Sequence, residues 1–265
     1  LKCALFIDPQ YSFWQNYFLL YRFRPPKEGP LQNWELSGEN KNISIPVLPL
    51  YCHRTLKHLQ KGSKKASASG CGLYIMDRGY ASLLRGEKLP IADGRRWALA
   101  TMCTRLSKDH DNWQQMKVSI EVNNAFGTFA ARLLAKEARY LTLFSDKPET
   151  RRTLCQTIYE ECGLICHSTA KPPADAKLII YTPQDKELTS SISASKEINK
   201  DSLLWQGWAT HAHNHDGQIM EGYMAEGLLM AAAWDKLQVP MMEQLPQILS
   251  KSRYYGLAPL AGNKS

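Results

Sequence analysis

The sequence has no CxxC pair, and its seven cysteines (Cys3, Cys52, Cys71, Cys103, Cys155, Cys162, Cys166) are odd in number. Those features exclude a zinc ribbon and a disulfide framework, and free thiols suit a reducing compartment, so a cytoplasmic protein is expected. No run approaches the roughly 20 apolar residues of a membrane-spanning helix, so no membrane partner is expected. The opening apolar run meets Asp8 and Pro9 too soon for a cleaved leader. A block of like charge is also missing. The 33 basic and 25 acidic residues give a net charge of +8, yet the basic ones are scattered. One dense cluster stands at Lys57, His58, Lys61, Lys64 and Lys65, beside the small-residue stretch 66–72. It reads as a solvated loop, and nucleic acid is not expected as a partner.

What is present is an ordinary globular composition, 44% hydrophobic and 22% charged over 265 residues, long enough for two domains. Residues 1–115 read as an irregular α+β domain for a substrate or partner. Residues 5–7 suit a strand, and 43–51 suit one at a sheet edge because of Pro46 and Pro49. The aromatic run Tyr11, Phe13, Trp14, Tyr17 and Phe18 suits packing. Residues 91–106 suit a helix with Asp93 as its N-cap.

From Met116 to about residue 235 the pattern changes to alternating strands and helices, the mark of βαβ units around a mostly parallel sheet. Strands are expected at 118–122, 140–144, 164–167, 177–181 and 203–208. Helices are expected at 127–137 and from Pro148 to Cys162, where Gly163 stops the second. The fold class is therefore α/β, a Rossmann-like sheet following an irregular N-terminal domain. Residues 236–265 are expected as a tail packed on that domain or on an interface.

A dinucleotide-binding domain joins its first strand to a G-x-G-x-x-G turn at a helix N-terminus, where backbone N–H groups meet the pyrophosphate. Here Gly127 aligns with the third glycine, while Val122 and Asn124 replace the first two and Glu121 adds a negative charge. Asn124 tolerates positive φ, which would let the turn persist. Asp146, about 20 residues beyond the loop, stands where an acidic residue binds the adenosine ribose. A helix-capping role for Asp146 is the alternative. Asp146 favours NAD, and Lys147 leaves NADP open.

Three segments carry a family resemblance: Gly127-Thr-Phe-Ala-Ala-Arg-Leu-Leu, Ala174-Asp-Ala-Lys-Leu-Ile-Ile-Tyr-Thr-Pro183, and Gly222-Tyr-Met-Ala-Glu-Gly-Leu-Leu-Met-Ala. Over roughly 120 residues the chain resembles the NAD(P)-binding domain of shikimate-dehydrogenase-like and amino-acid-dehydrogenase proteins. The resemblance implies a cofactor, NAD or NADP, held around Asn123, Asn124, Gly127, Asp146 and Thr182, with the middle segment leading to the nicotinamide. It also implies that the third segment is the helix returning to the substrate domain. The Lys and Asp that such enzymes use as acid and base have no match in the first 115 residues, where Ser44-Ile45-Pro46 is the nearest echo. Catalytic residues are therefore unassigned.

The expected function is that of a dehydrogenase-like protein acting on a small polar metabolite, with homo-oligomerisation open. A non-catalytic binding or regulatory protein that kept the fold is the alternative. A third reading rests on His211, His213 and His215, which on an extended strand share a face and could hold a metal, with Asp216 nearby, for hydrolysis. A polar loop after the fifth strand is the plainer reading of that segment. Glu221 and Glu226 suit helix capping, and Cys166 and His167, as strand neighbours, face opposite ways.

Overall fold

The structure is a computed structural model, and it describes residues 1–8, 26–37, 42–84, 89–182, 202–205, 208, 211–213, 219–232 and 258–259. The aromatic run at 11–18 lies outside them. The chain forms two compact units, Leu1–Trp97 with Thr210–Leu260, and Ala98–Ala209 with Ala261–Ser265.

The first unit is built on a six-stranded mixed sheet. Its strands are β1 (Cys3–Ile7), β2 (Lys27–Glu28), β3 (Gln32–Ser37), β4 (Asn42–Tyr51), β5 (Leu73–Ile75) and β6 (Ile91–Ala92), in the order β2-β4-β1-β5-β6 with β3 also on β4. Strands β4, β1, β5 and β6 are mutually parallel. β4 is interior, not the expected edge strand, with β1 on one side and β2 and β3 on the other. Its prolines fit because each stands where a neighbouring strand ends. The Pro49 carbonyl accepts from Gly29 N–H, so residue 49 faces β2 and β3 at the turn between them. Pro46 has the opposite parity and faces β1 one residue before pairing begins at Val47.

The basic cluster is helical, not a loop. Helix α1 (Leu56–Ala68) buries His58, Leu59, Gly62, Ser63 and Ala66 and leaves Lys57, Lys61, Lys64 and Lys65 in solvent. Small residues form most of its inward face, so a count of bulky apolar residues misses the period. Helix α2 (Arg78–Leu83) follows β5, and Asp77 caps it by accepting from the Gly79 and Tyr80 N–H groups. Ala4, Phe6, Leu48, Leu50, Leu59, Ala66, Tyr74 and Tyr80 form the core on this side of the sheet.

Helix α3 (Arg95–Asp109) starts later than the expected residue 91, because Ile91 and Ala92 pair with β5 as β6, and the Asp93 carboxylate accepts from Arg95 N–H at 3.1 Å. From Ala98 onward its residues belong to the second unit. Segment 210–235, expected to close the nucleotide-binding domain, supplies β12 (His211–His213), β13 (Ile219–Glu221) and helix α6 (Gly222–Ala232) to the first unit. Helix α6 packs on β4, β5 and β6. A side chain at Gly227 would come within 2.5 Å of Ile75, so glycine lets this helix lie close on the sheet. Glu226 is fully buried and caps α3 rather than its own helix, accepting from the N–H groups of Arg96 (2.9 Å) and Trp97 (3.2 Å) and from the Arg96 guanidinium (2.9 Å). Complete burial pushes this carboxyl's pKa up, and Arg96 opposes that shift.

The second unit holds β7 (Lys117–Glu121), α4 (Ala125–Leu134), β8 (Tyr140–Phe144), α5 (Pro148–Cys162), β9 (His167–Thr169), β10 (Leu178–Ile180) and β11 (Leu203–Trp205). All neighbouring strands are parallel, in the order β11-β10-β7-β8-β9. Counted within the unit this is 3-2-1-4-5 read from the other edge, the strand order of a Rossmann-like fold. Pro148 in the first turn and Gly163 at φ 71° bound α5 as expected. The third strand, expected at 164–167, starts three residues later and ends two later. Leu164 and Ile165 are apolar, but Ile165 is 76% exposed, and pairing with β8 selects His167–Thr169.

All seven cysteines are free thiols. No helix among the described residues is long and apolar enough to cross a membrane. A short β14 (Ala258–Pro259) pairs with β12.

Candidate nucleotide site

In an open α/β sheet, ligands bind beyond the carboxyl ends of the strands where the strand order reverses. In the second unit that point lies between β7 and β10. Asn124 closes the first turn there, but not as the left-handed residue expected. Its backbone is extended (φ −141°, ψ 170°), and its side-chain oxygen accepts from Gly127 N–H at 2.8 Å. It is an N-cap, and the cap occupies an amide that a glycine-rich loop offers to phosphate. Gly127 is required by close packing: a Cβ there would be driven into the carbonyl oxygen of Glu121 and would press on Thr182. The Thr182 hydroxyl is buried with no hydrogen-bond partner among the described residues.

Beside this turn lies a cavity of about 700 Å³. Its walls include Asn123 after β7, Ser145 and Asp146 after β8, Lys171 and Pro172 after β9, and Tyr181 after β10. A chain of hydrogen bonds fixes one wall. The Asn123 side-chain amide donates to the Glu121 carboxylate (2.9 Å), the Ser145 hydroxyl donates to Asn123 Oδ1 (2.5 Å), and Lys147 N–H donates to the Ser145 hydroxyl oxygen (3.1 Å). Asp146 follows this wall with an exposed side chain. The rings of Phe144 and Tyr181 meet edge to face at 5.5 Å between centroids. Burial raises the Tyr181 phenol's pKa, and the Glu121 charge adds to the shift.

Of the five expected cofactor residues, Asn123 and Asp146 share the cavity wall, while Asn124, Gly127 and Thr182 cluster at the start of α4. The reading from sequence missed Ser145, the Phe144–Tyr181 pair and Lys171. A signal for the aromatic pair existed: Phe144 ends β8 and Tyr181 directly follows β10, and alternate residues of a strand share a face.

The histidine segment stands elsewhere. His211 lies on β12 of the first unit, a strand and not a loop after the fifth strand, with its Nε2 3.4 Å from Glu221. His215, Asp216 and the side chain of His213 lie outside the described residues, among which no group of three metal-ligating side chains forms.

No family model matches the chain, and no curated protein matches it. Solved structures do. The ligand-free 5-ketofructose reductase of Gluconobacter sp. strain CHM43 is 11% identical with a TM-score of 0.39, covering 95% of this chain and 98% of that one. A shikimate dehydrogenase in complex with NADP+ is 12% identical with a TM-score of 0.39, covering 94% and 95%. The L-tryptophan dehydrogenase of Nostoc punctiforme is 12% identical with a TM-score of 0.29, covering 68% and 55%. The Rossmann-like assignment rests on this chain's own strand order.

Proposed function

We propose that the second unit binds NAD with its adenosine half in the 700 Å³ cavity and the ribose hydroxyls on Asp146. On this reading the protein is a dehydrogenase-like enzyme for a small polar metabolite. The observation that carries it is an exposed carboxylate at the end of the second strand of a 3-2-1-4-5 sheet, set in the wall of a nucleoside-sized cavity. The donor set fits the adenosine end. Asp146 accepts from hydroxyls, Asn123 and Ser145 hold the wall rigid, and Phe144, Tyr181 and Pro172 offer apolar surface to a base. Its negative charge disfavours a ribose 2′-phosphate, so NAD is preferred over NADP. Bound NAD supplies hydride transfer.

A second reading follows from the bond between Asn124 and Gly127. The cap and the Glu121 charge meet the pyrophosphate with less attraction than a glycine loop does, which favours a protein that binds a nucleoside and performs no redox step. Calorimetric titration with NADH, NADPH and adenosine separates the two. The first reading predicts saturable NADH binding, tighter than NADPH and tighter than adenosine. Adenosine binding as tightly as NADH selects the second. No binding of any of the three up to millimolar concentration overturns both.

A further inference from the structure

The sheet of the second unit has two unlike faces. One carries Val118, Ile120, Leu141, Leu143, Leu178 and Ile180, all buried. The connections β7-α4-β8 and β8-α5-β9 step in one direction, and right-handed crossovers put both helices on one face. The connection from β9 to β10 steps back across β7, which puts it on the other face. It is residues 170–177, with Pro172, Pro173 and no helix. Its Ala176 packs on Phe144 and Ile179. A parallel sheet ordinarily has both faces under helices and apolar side chains on both.

This bridge divides the second face. On one side is the nucleotide cavity. On the other is a separate cavity of about 310 Å³, and Pro173 lines both. The floor of the smaller one is a polar row. Ser119, Thr142 and His167 are register partners on β7, β8 and β9, so they stand side by side at strand spacing, about 4.8 Å apart. Ser119 is only 1% exposed, lines the cavity, and its hydroxyl has no hydrogen-bond partner among the described residues. Buried hydroxyls are nearly always paired, so an unpaired one facing a cavity marks a place for a ligand atom.

The geometry points to a second ligand site here, taking a small uncharged polyol of about monosaccharide size. Charge decides the class. The lining's fixed charges, Lys117 and Asp175, pair with each other at 2.5 Å, so they leave no net field for an ion. The remaining polar contacts are the hydroxyls of Ser119, Thr142 and Thr169 and the His167 imidazole, groups that both donate and accept as sugar hydroxyls do, and the half-exposed Tyr140 offers a ring edge at the rim. This site is independent of nucleotide binding on the far side of the bridge.

The test is calorimetric titration of the whole chain with myo-inositol, D-glucose and D-fructose, and with inorganic phosphate and L-serine as charged comparators. The site predicts saturable binding of at least one polyol in the millimolar range, at least tenfold weaker in Ser119→Ala and in Thr142→Val. Ser119→Ala without ligand should melt at or above the wild-type temperature, because it removes an unpaired buried hydroxyl. Absence of polyol binding, equal binding by both variants, tighter binding of phosphate or serine, or a lowered Tm of ligand-free Ser119→Ala each overturns the proposal.

Discussion

Both units have parallel strands at the centre of their main sheets, yet those strands are written differently. In the first unit, Cys3, Ala4, Leu5 and Phe6 of β1 and Leu73, Tyr74 and Ile75 of β5 are all buried, on both faces. Helices α1 and α2 lie with one face and α6 with the other. In the second unit, β7 reads Lys-Val-Ser-Ile-Glu and β8 reads Tyr-Leu-Thr-Leu-Phe, alternating polar or aromatic with aliphatic residues. Strand composition therefore tells which sheet is sealed and which has a face left for chemistry. Continuous apolar runs mark the sealed strands and a period of two marks the open ones, so β10, which reads Leu-Ile-Ile and is buried throughout, is the sealed strand of the second sheet, with Ala176 of the bridge packed on Ile179.

The comparison can be broken by mutation. The largest loss is expected from Glu226→Ala, which removes at once the fully buried carboxylate that pairs with the partly buried Arg96 and a helix cap, and should cost about 3–5 kcal/mol in urea denaturation. Leu73→Ala, in the sealed sheet, should cost about 2–5 kcal/mol by the same measurement. Gly127→Ala forces a methyl group against the Glu121 carbonyl and should cost about 1–3 kcal/mol, with lower affinity for any nucleotide beside it. Thr142→Val, on the open face, should stay within about 0.5 kcal/mol of wild type. A loss there equal to that of Leu73→Ala would mean that the second sheet is sealed as well.

How much was legible followed from how local each cause is. Strand β8 and helix α5 were readable residue by residue, because an aliphatic period, Pro148 and Gly163 act within the segment. Strand β9 was misplaced because pairing with Thr142, a partner distant in sequence, selects it over the more apolar Leu164 and Ile165. Helix α1 was hidden by a buried face made partly of Gly62, Ser63 and Ala66. Interior β4 was hidden by prolines whose missing N–H groups matter only once the neighbouring strand ends are known.

The candidate site divided the same way. Gly127 and Asp146 were visible from spacing along one βαβ unit. Asn124 is visible in the sequence as the departure from the glycine loop, but its extended backbone and its bond to Gly127 need the folded turn. Ser145, Tyr181 and Lys171 arrive from three different strand ends, and no spacing in the sequence links them. The same holds for the row Ser119, Thr142 and His167, which exists only through strand register.

On the proposed reading, a Rossmann-like crevice with a rewritten phosphate loop takes a nucleotide through its ribose carboxylate. Titration of wild type and Asp146→Ala with NADH, followed by energy transfer from the tryptophans, tests it directly. Saturable binding is expected that weakens at least tenfold in the variant, with thermal stability unchanged. Equal NADH affinity in the two proteins would contradict it.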